Sequence, residues 1–119
     1  MTLEKNNNIV NPFIFNSLLQ SLGEDGLKPI IQEFIAYAPE QVSNLHTYID
    51  TLAHNDIHKE AHSIKGSASN LGFSSLAEYC QQLESAANNE DSADYSRLLS
   101  SINTAFNEIK SELSKQNLI

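Results

Sequence analysis

The run Ala61-His62-Ser63-Ile64-Lys65-Gly66-Ser67-Ala68-Ser69-Asn70-Leu71-Gly72 holds the residues best suited to chemistry in this chain. Ile57, Ala61, Ile64 and Ala68 recur at steps of three and four, the spacing of a helix's buried stripe. His58, His62, Lys65 and Ser69 are each one residue out of that phase, about 100° of helix rotation. They form a second stripe beside the core, at or near solvent. An imidazole placed there is an accessible nucleophile, and an ordinary histidine, titrating near about 6.5, is mostly neutral at pH 7. Lys65, three residues on from His62, reaches the same face and can offset the charge of a phosphoryl group. Gly66, four residues on, leaves a gap beside the ring, although glycine inside a helix costs roughly 1 kcal/mol relative to alanine. The gap has two readings: close approach by another protein, or tight packing between helices.

Other chemistries fit less well. His58 and His62 have the spacing of a metal pair, and His58-Lys59-Glu60-Ala61-His62 resembles a zinc-protease helix. That motif needs glutamate directly after the first histidine, however, and Lys65 would repel a cation. Cys80 is the single cysteine, which rules out an internal disulfide, and its place on an apolar seam reads as a buried small residue. No glycine-rich loop could cradle a nucleotide, and 119 residues leave no room for an ATP-binding domain. A net charge of −8 opposes non-specific binding to nucleic acid. No apolar run spans a bilayer, and Met1 to Val10 lacks the pattern of a secretory signal, so the expected location is the cytoplasm. A protein partner is the reading that survives.

The elements that position these residues are all helical. Residues 1–10 are a polar, flexible lead-in, and a single domain spans residues 11–119. Asn11-Pro12 predicts a helix start, with Ile14, Leu18 and Leu22 as its inner face and Gly23 as its end. A long helix follows from about Asp25 to Ala53, with the seam Leu27, Ile31, Phe34, Ala38, Val42, Leu45, Ile49 and Leu52 and a kink at Pro39. The third helix ends near Asn70, and Gly72 is its left-handed cap. Ser75 and Glu78 fit a capping box for a fourth helix with the seam Leu76, Cys80, Leu83 and Ala87. The last helix starts near Ser92 and carries Tyr95, Leu98, Ile102, Phe106, Ile109 and Leu113. Short connections favour antiparallel neighbours, so the expected fold is all-α: an up-and-down antiparallel four-helix bundle with an additional short N-terminal helix.

His62-Ser63-Ile64-Lys65-Gly66-Ser67, followed by Asn70-Leu71-Gly72, resembles the signature of histidine-containing phosphotransfer (HPt) domains of multistep phosphorelays. The stretch from Leu76 to Glu84 resembles that family's next helix. The likeness spans roughly Leu18 to Leu113, with the sharp motif confined to residues 61–84. It implies that His62 is the phosphoacceptor, that Lys65 balances phosphoryl charge, and that Gly66 leaves room for a receiver domain. It also implies that Glu84 accepts a hydrogen bond from the other ring nitrogen of His62. The chain is then a phosphoryl carrier without an ATP site. It takes phosphate from a receiver-domain phospho-aspartate of a hybrid histidine kinase and passes it to a response regulator. No cofactor of its own is implied, because the receiver supplies Mg²⁺.

The partner-facing set expected around His62 is His58, Lys59, Ser69, Gly72 and Phe73, with packing at the helix turn as the other reading of Phe73. Across residues 58–72 two lysines stand against one glutamate, a local sign suited to an acidic receiver pocket. Met1 and the polar lead-in favour a free-standing relay protein over a domain of a hybrid kinase, and a monomer is expected.

Overall fold

Asn11 and Pro12 open the first helix for the reasons their types suggest. In the computed structural model, which describes residues 8–119, the Asn11 side-chain oxygen accepts from the N–H groups of Phe13 and Ile14 at 2.9 and 3.2 Å. Pro12 takes the first turn, where its missing N–H is not needed. This helix, α1, runs Pro12–Asp50. Of the expected lead-in, residues 1–7 lie outside the described residues, while Val10 is fully buried.

Gly23 (φ 73°, ψ 169°) is the one interior residue of α1 with non-helical dihedrals. The bend therefore falls there, and Pro39 sits within the helical run. The arm ahead of Gly23 is turned one residue from the expected phase. Phe15 is fully buried, whereas Ile14 and Leu22 are 37% and 45% exposed. An arm this short fits two adjacent phases, and the larger phenylalanine takes the inner one. In the long arm Leu27, Ile31, Phe34, Ala38, Leu45 and Ile49 are buried as the seam predicts. Val42 is only half-buried, and Gln41 takes the inward place. Both lie at helical spacing from Ala38 and Leu45, and Gln41 can go inward because its amide finds a partner in Ser63 Oγ, at 3.2 Å. Leu52 lies beyond the helix end with φ 52° and is exposed.

Helix α2 spans His54–Leu71 and buries Ile57, Ala61, Ile64, Ala68 and Leu71. Gly72 ends it in the left-handed region (φ 80°), and the Phe73 N–H returns to the Ala68 carbonyl at 2.8 Å. Helix α3, Ser74–Asn88, starts at once with Phe73 as its N-cap. The expected capping box is therefore absent: Ser75 is already inside the first turn, and its hydroxyl is buried without a partner. The α3 seam of Leu76, Cys80, Leu83 and Ala87 is buried as expected. A 3₁₀ turn at Ser92–Asp94 leads into α4, Tyr95–Lys115, whose expected core residues are all buried.

Each helix packs against its sequence neighbour, and α1 also packs against α4. The rings of Phe73 and Phe106 lie 5.1 and 6.1 Å from that of Phe34, which closes the core between α1, α4 and the α2–α3 turn. Among the described residues there is no strand, and no helix is long and apolar enough to cross a membrane.

Candidate functional site

Helical phase puts His62 one residue past the buried Ala61, and its side chain is 65% exposed. Across the α2–α3 interface, Glu84 follows the buried Leu83 and leans toward the same surface, its side chain 12% exposed. His62 Nδ1 and Glu84 Oε1 are 2.8 Å apart. The other carboxylate oxygen, Oε2, lies 2.7 Å from Lys65 Nζ. Lys65 also donates to Gln81 Oε1 at 3.0 Å, and Gln81 Nε2 donates to Ser85 Oγ at 3.3 Å. His58 Nε2 approaches Glu84 Oε1 at 3.7 Å, and its ring is parallel to that of His62 within 5°.

Burial pushes the Glu84 carboxyl up, but hydrogen bonds from Lys65 and His62 and the positive charge of Lys65 hold the group below the usual carboxylate range. An ionised carboxylate can only accept hydrogen bonds, so Nδ1 of His62 must be the donor. In the neutral ring the proton is thereby on Nδ1, and Nε2 carries the lone pair. The arrangement provides a nucleophilic nitrogen, a carboxylate that orients it, and a cation next to both.

Gly66 is exposed, and a Cβ built on it meets nothing within 4 Å. Of its two readings, helix–helix packing is removed, and an open surface one turn from His62 remains. A model of the Hpt domain family matches residues 29–114.

The chain belongs to the Hpt domain family.

Hpt domains are phosphocarriers of phosphorelays and are not kinases. The chain also resembles the crystal structure of histidine-containing phosphotransfer protein B (HptB) from Pseudomonas aeruginosa PAO1. The TM-score is 0.86 at 23% identity, covering 91% of this chain and 93% of that one. At that identity the likeness speaks for the fold. No curated protein matches the chain.

The Hpt domain brings His62, Lys65 and Glu84 into one cluster, with Gly66 beside it. Lys59 and Ser69 are exposed on α2, and His58 is half-buried. Gly72 and Phe73 do not belong on a partner surface: both are buried, Gly72 as the helix cap and Phe73 in the aromatic core. An aromatic residue next to a turn fits either place by sequence, and the left-handed turn swings this one inward.

Gln81 was not among the expected site residues. Its signal was its place on α3 three residues before Glu84, on the same face. The ties from α1 to the site helix were also missed: Gln41 to Ser63, and Asn44 Nδ2 donating to Glu60 Oε1 at 2.9 Å. Cys80, one turn before Glu84, is fully buried, and burial together with the Glu84 charge pushes its thiol up to about 12. It is part of the core and no nucleophile. Among the described residues, no group of three or more His, Cys, Asp and Glu side chains could hold a metal ion.

Proposed function

We propose that His62 is the phosphoacceptor, relaying a phosphoryl group between two receiver domains. The observation that carries this reading is the contact of His62 Nδ1 with Glu84, which in the neutral ring places the lone pair on Nε2, on an exposed side chain. Nε2 attacks the phosphorus of a receiver's phospho-aspartate. The Nε2–P bond forms, the P–O bond breaks, and the aspartate leaves as a carboxylate. No proton has to be removed from the attacking nitrogen, so the site needs no general base. The ring, still protonated at Nδ1, becomes cationic, and the Glu84 carboxylate balances it. Lys65 supplies positive charge for the phosphoryl oxygens. The reverse sequence delivers the group to an aspartate of a response regulator. The receiver supplies the Mg²⁺.

Gly66 gives the receiver its approach. The docking surface consists of the exposed parts of α1, α2 and α3 around His62, including His58, Lys59 and Ser69. The contact is modest and transient, since a relay must release its partner. The scaffold in this reading is an up-and-down antiparallel bundle, supported by the packing of each helix on its sequence neighbour. The carrier works as a cytoplasmic monomer.

The test is direct. A response-regulator receiver phosphorylated with acetyl phosphate is mixed with the protein, and acid-labile phosphate on the chain is followed. The wild type acquires label and H62Q does not. Label on H62Q at the wild-type rate would overturn the assignment.

A further inference from the structure

The Glu84 carboxylate meets a third basic side chain for which phosphoryl transfer has no evident need. His58 lies one helical turn before His62, and its Nε2 is 3.7 Å from the same oxygen, Oε1, that His62 engages at 2.8 Å. The two rings are parallel within 5°, with centroids 6.4 Å apart. His58 is less suited to be a second acceptor, because its distal nitrogen faces the carboxylate at a distance longer than a hydrogen bond and is turned inward from the open surface that His62 occupies. Its side chain is 36% exposed, against 65% for His62.

The carboxylate has two ways to settle. Lys65 holds Oε2 at 2.7 Å, and Gln81 also holds that ammonium. Without a second restraint on Oε1, the carboxylate can turn both oxygens toward the lysine and give up His62 Nδ1. His62 alone is within hydrogen-bond distance of Oε1, and His58 flanks the same oxygen as a longer polar contact, so the two can face it together without excluding each other. We infer that His58 is a positioning residue for phosphoryl transfer: it restrains Glu84 Oε1 so that this oxygen stays on His62 Nδ1 and the lone pair of His62 stays on Nε2. This inference rests on His62 being the phosphoacceptor. His58 itself touches neither the phosphoryl group nor the receiver's aspartate in this role.

Two variants separate the role from bulk packing. H58L keeps an apolar side chain of similar reach without a donor, and H58Q places an amide N–H where the imidazole nitrogen was. The first readout is the His62 tautomer, by ¹⁵N NMR of ring-labelled protein. The wild type and H58Q show the Nδ1–H form, whereas H58L shows a mixture with the Nε2–H form. The second readout is the rate at which phosphoramidate, a small phosphoryl donor that needs no receiver, labels His62. It falls about 3- to 10-fold in H58L, less than the roughly 10- to 100-fold typical of a directly orienting partner because His58 acts one step further from the reacting atom, and recovers in H58Q. An unchanged tautomer in H58L overturns the inference, as does loss of the Nδ1–H form in H58Q as well. H62Q labelled at the wild-type rate overturns the phosphoacceptor reading instead, and the NMR result still decides whether His58 sets the ring.

Discussion

Lys65 and Glu84 form an ion pair, 2.7 Å from Nζ to Oε2, that joins α2 to α3 directly beside His62. The pair is largely shielded, with side-chain exposures of 24% and 12%, so it is less screened than a surface pair. Its consequence is positional. The lysine anchors one oxygen of the carboxylate, and the other is left in register with the histidine.

Removing the carboxylate therefore frees the ring and the lysine together. E84A is expected to slow phosphoryl uptake by about 10- to 100-fold, the scale seen when an orienting partner is lost. E84Q keeps an oxygen that accepts from Nδ1 and is expected to lose less. Stopped-time labelling from a phosphorylated receiver measures both, and equal losses would mean that charge outweighs orientation.

Gly66 separates stability from docking. Its neighbourhood is open and its backbone helical, so G66A meets no clash and gains roughly 1 kcal/mol in helix propensity. The urea midpoint is expected to rise. G66L is expected to block transfer from a receiver while leaving labelling by phosphoramidate near the wild-type rate. A G66L variant that exchanges phosphate freely with receivers would show that the gap is not used.

Gly72 has the opposite character. Its φ is 80°, and a Cβ there would lie 3.2 Å from Ile14 Cβ and Cγ2 and 3.3 Å from the Asn11 carbonyl oxygen. G72A is expected to lower stability by about 1–3 kcal/mol through backbone strain and crowding. Chemical denaturation reads this directly.

The ionised state of Glu84 gives stability a pH dependence of known sign. Its folded carboxyl titrates below the ordinary value of 4.5, so the unfolded chain binds the proton more readily. The stabilisation is complete above about that pH and is lost as pH falls through the folded value. Urea midpoints measured from pH 7 downward are expected to drop less steeply in E84Q than in the wild type.

Cys80 offers a check on the burial beneath the site. With its thiol pushed up to about 12 by burial and by Glu84, and lowered only in part by Lys65, iodoacetamide at pH 8 is expected to leave the folded protein unmodified. Full alkylation in denaturant, read by mass, provides the comparison.

Much of this was legible in the residues. The seams of α2, α3 and α4 were readable because small and large apolar residues alternate there at unambiguous spacing with polar neighbours. Gly72 was readable because so few residues accept its dihedrals. The α1 phase was harder: Gln41 and Val42 both satisfy the helical period, and only the reach to Ser63 on another helix decides between them. Phe73 and the false capping box at Ser75 failed for one shared reason, since the geometry of the turn sets where the next helix begins. At the site, His62, Lys65 and Gly66 stood out by type and spacing. Gln81 and the approach of His58 to Glu84 depend on how two helices face each other, which spacing along one helix does not encode.

The two-residue link of Gly72 and Phe73 between α2 and α3 has a bearing on how the protein reaches its working shape. His58, His62 and Lys65 lie on one arm of that hairpin, and Gln81 and Glu84 on the other. Closing so short a loop costs little chain entropy, and contacts of low sequence separation form fast. The reactive geometry is thus assembled from a single local stretch of chain, and α1 and α4 have only to clamp it.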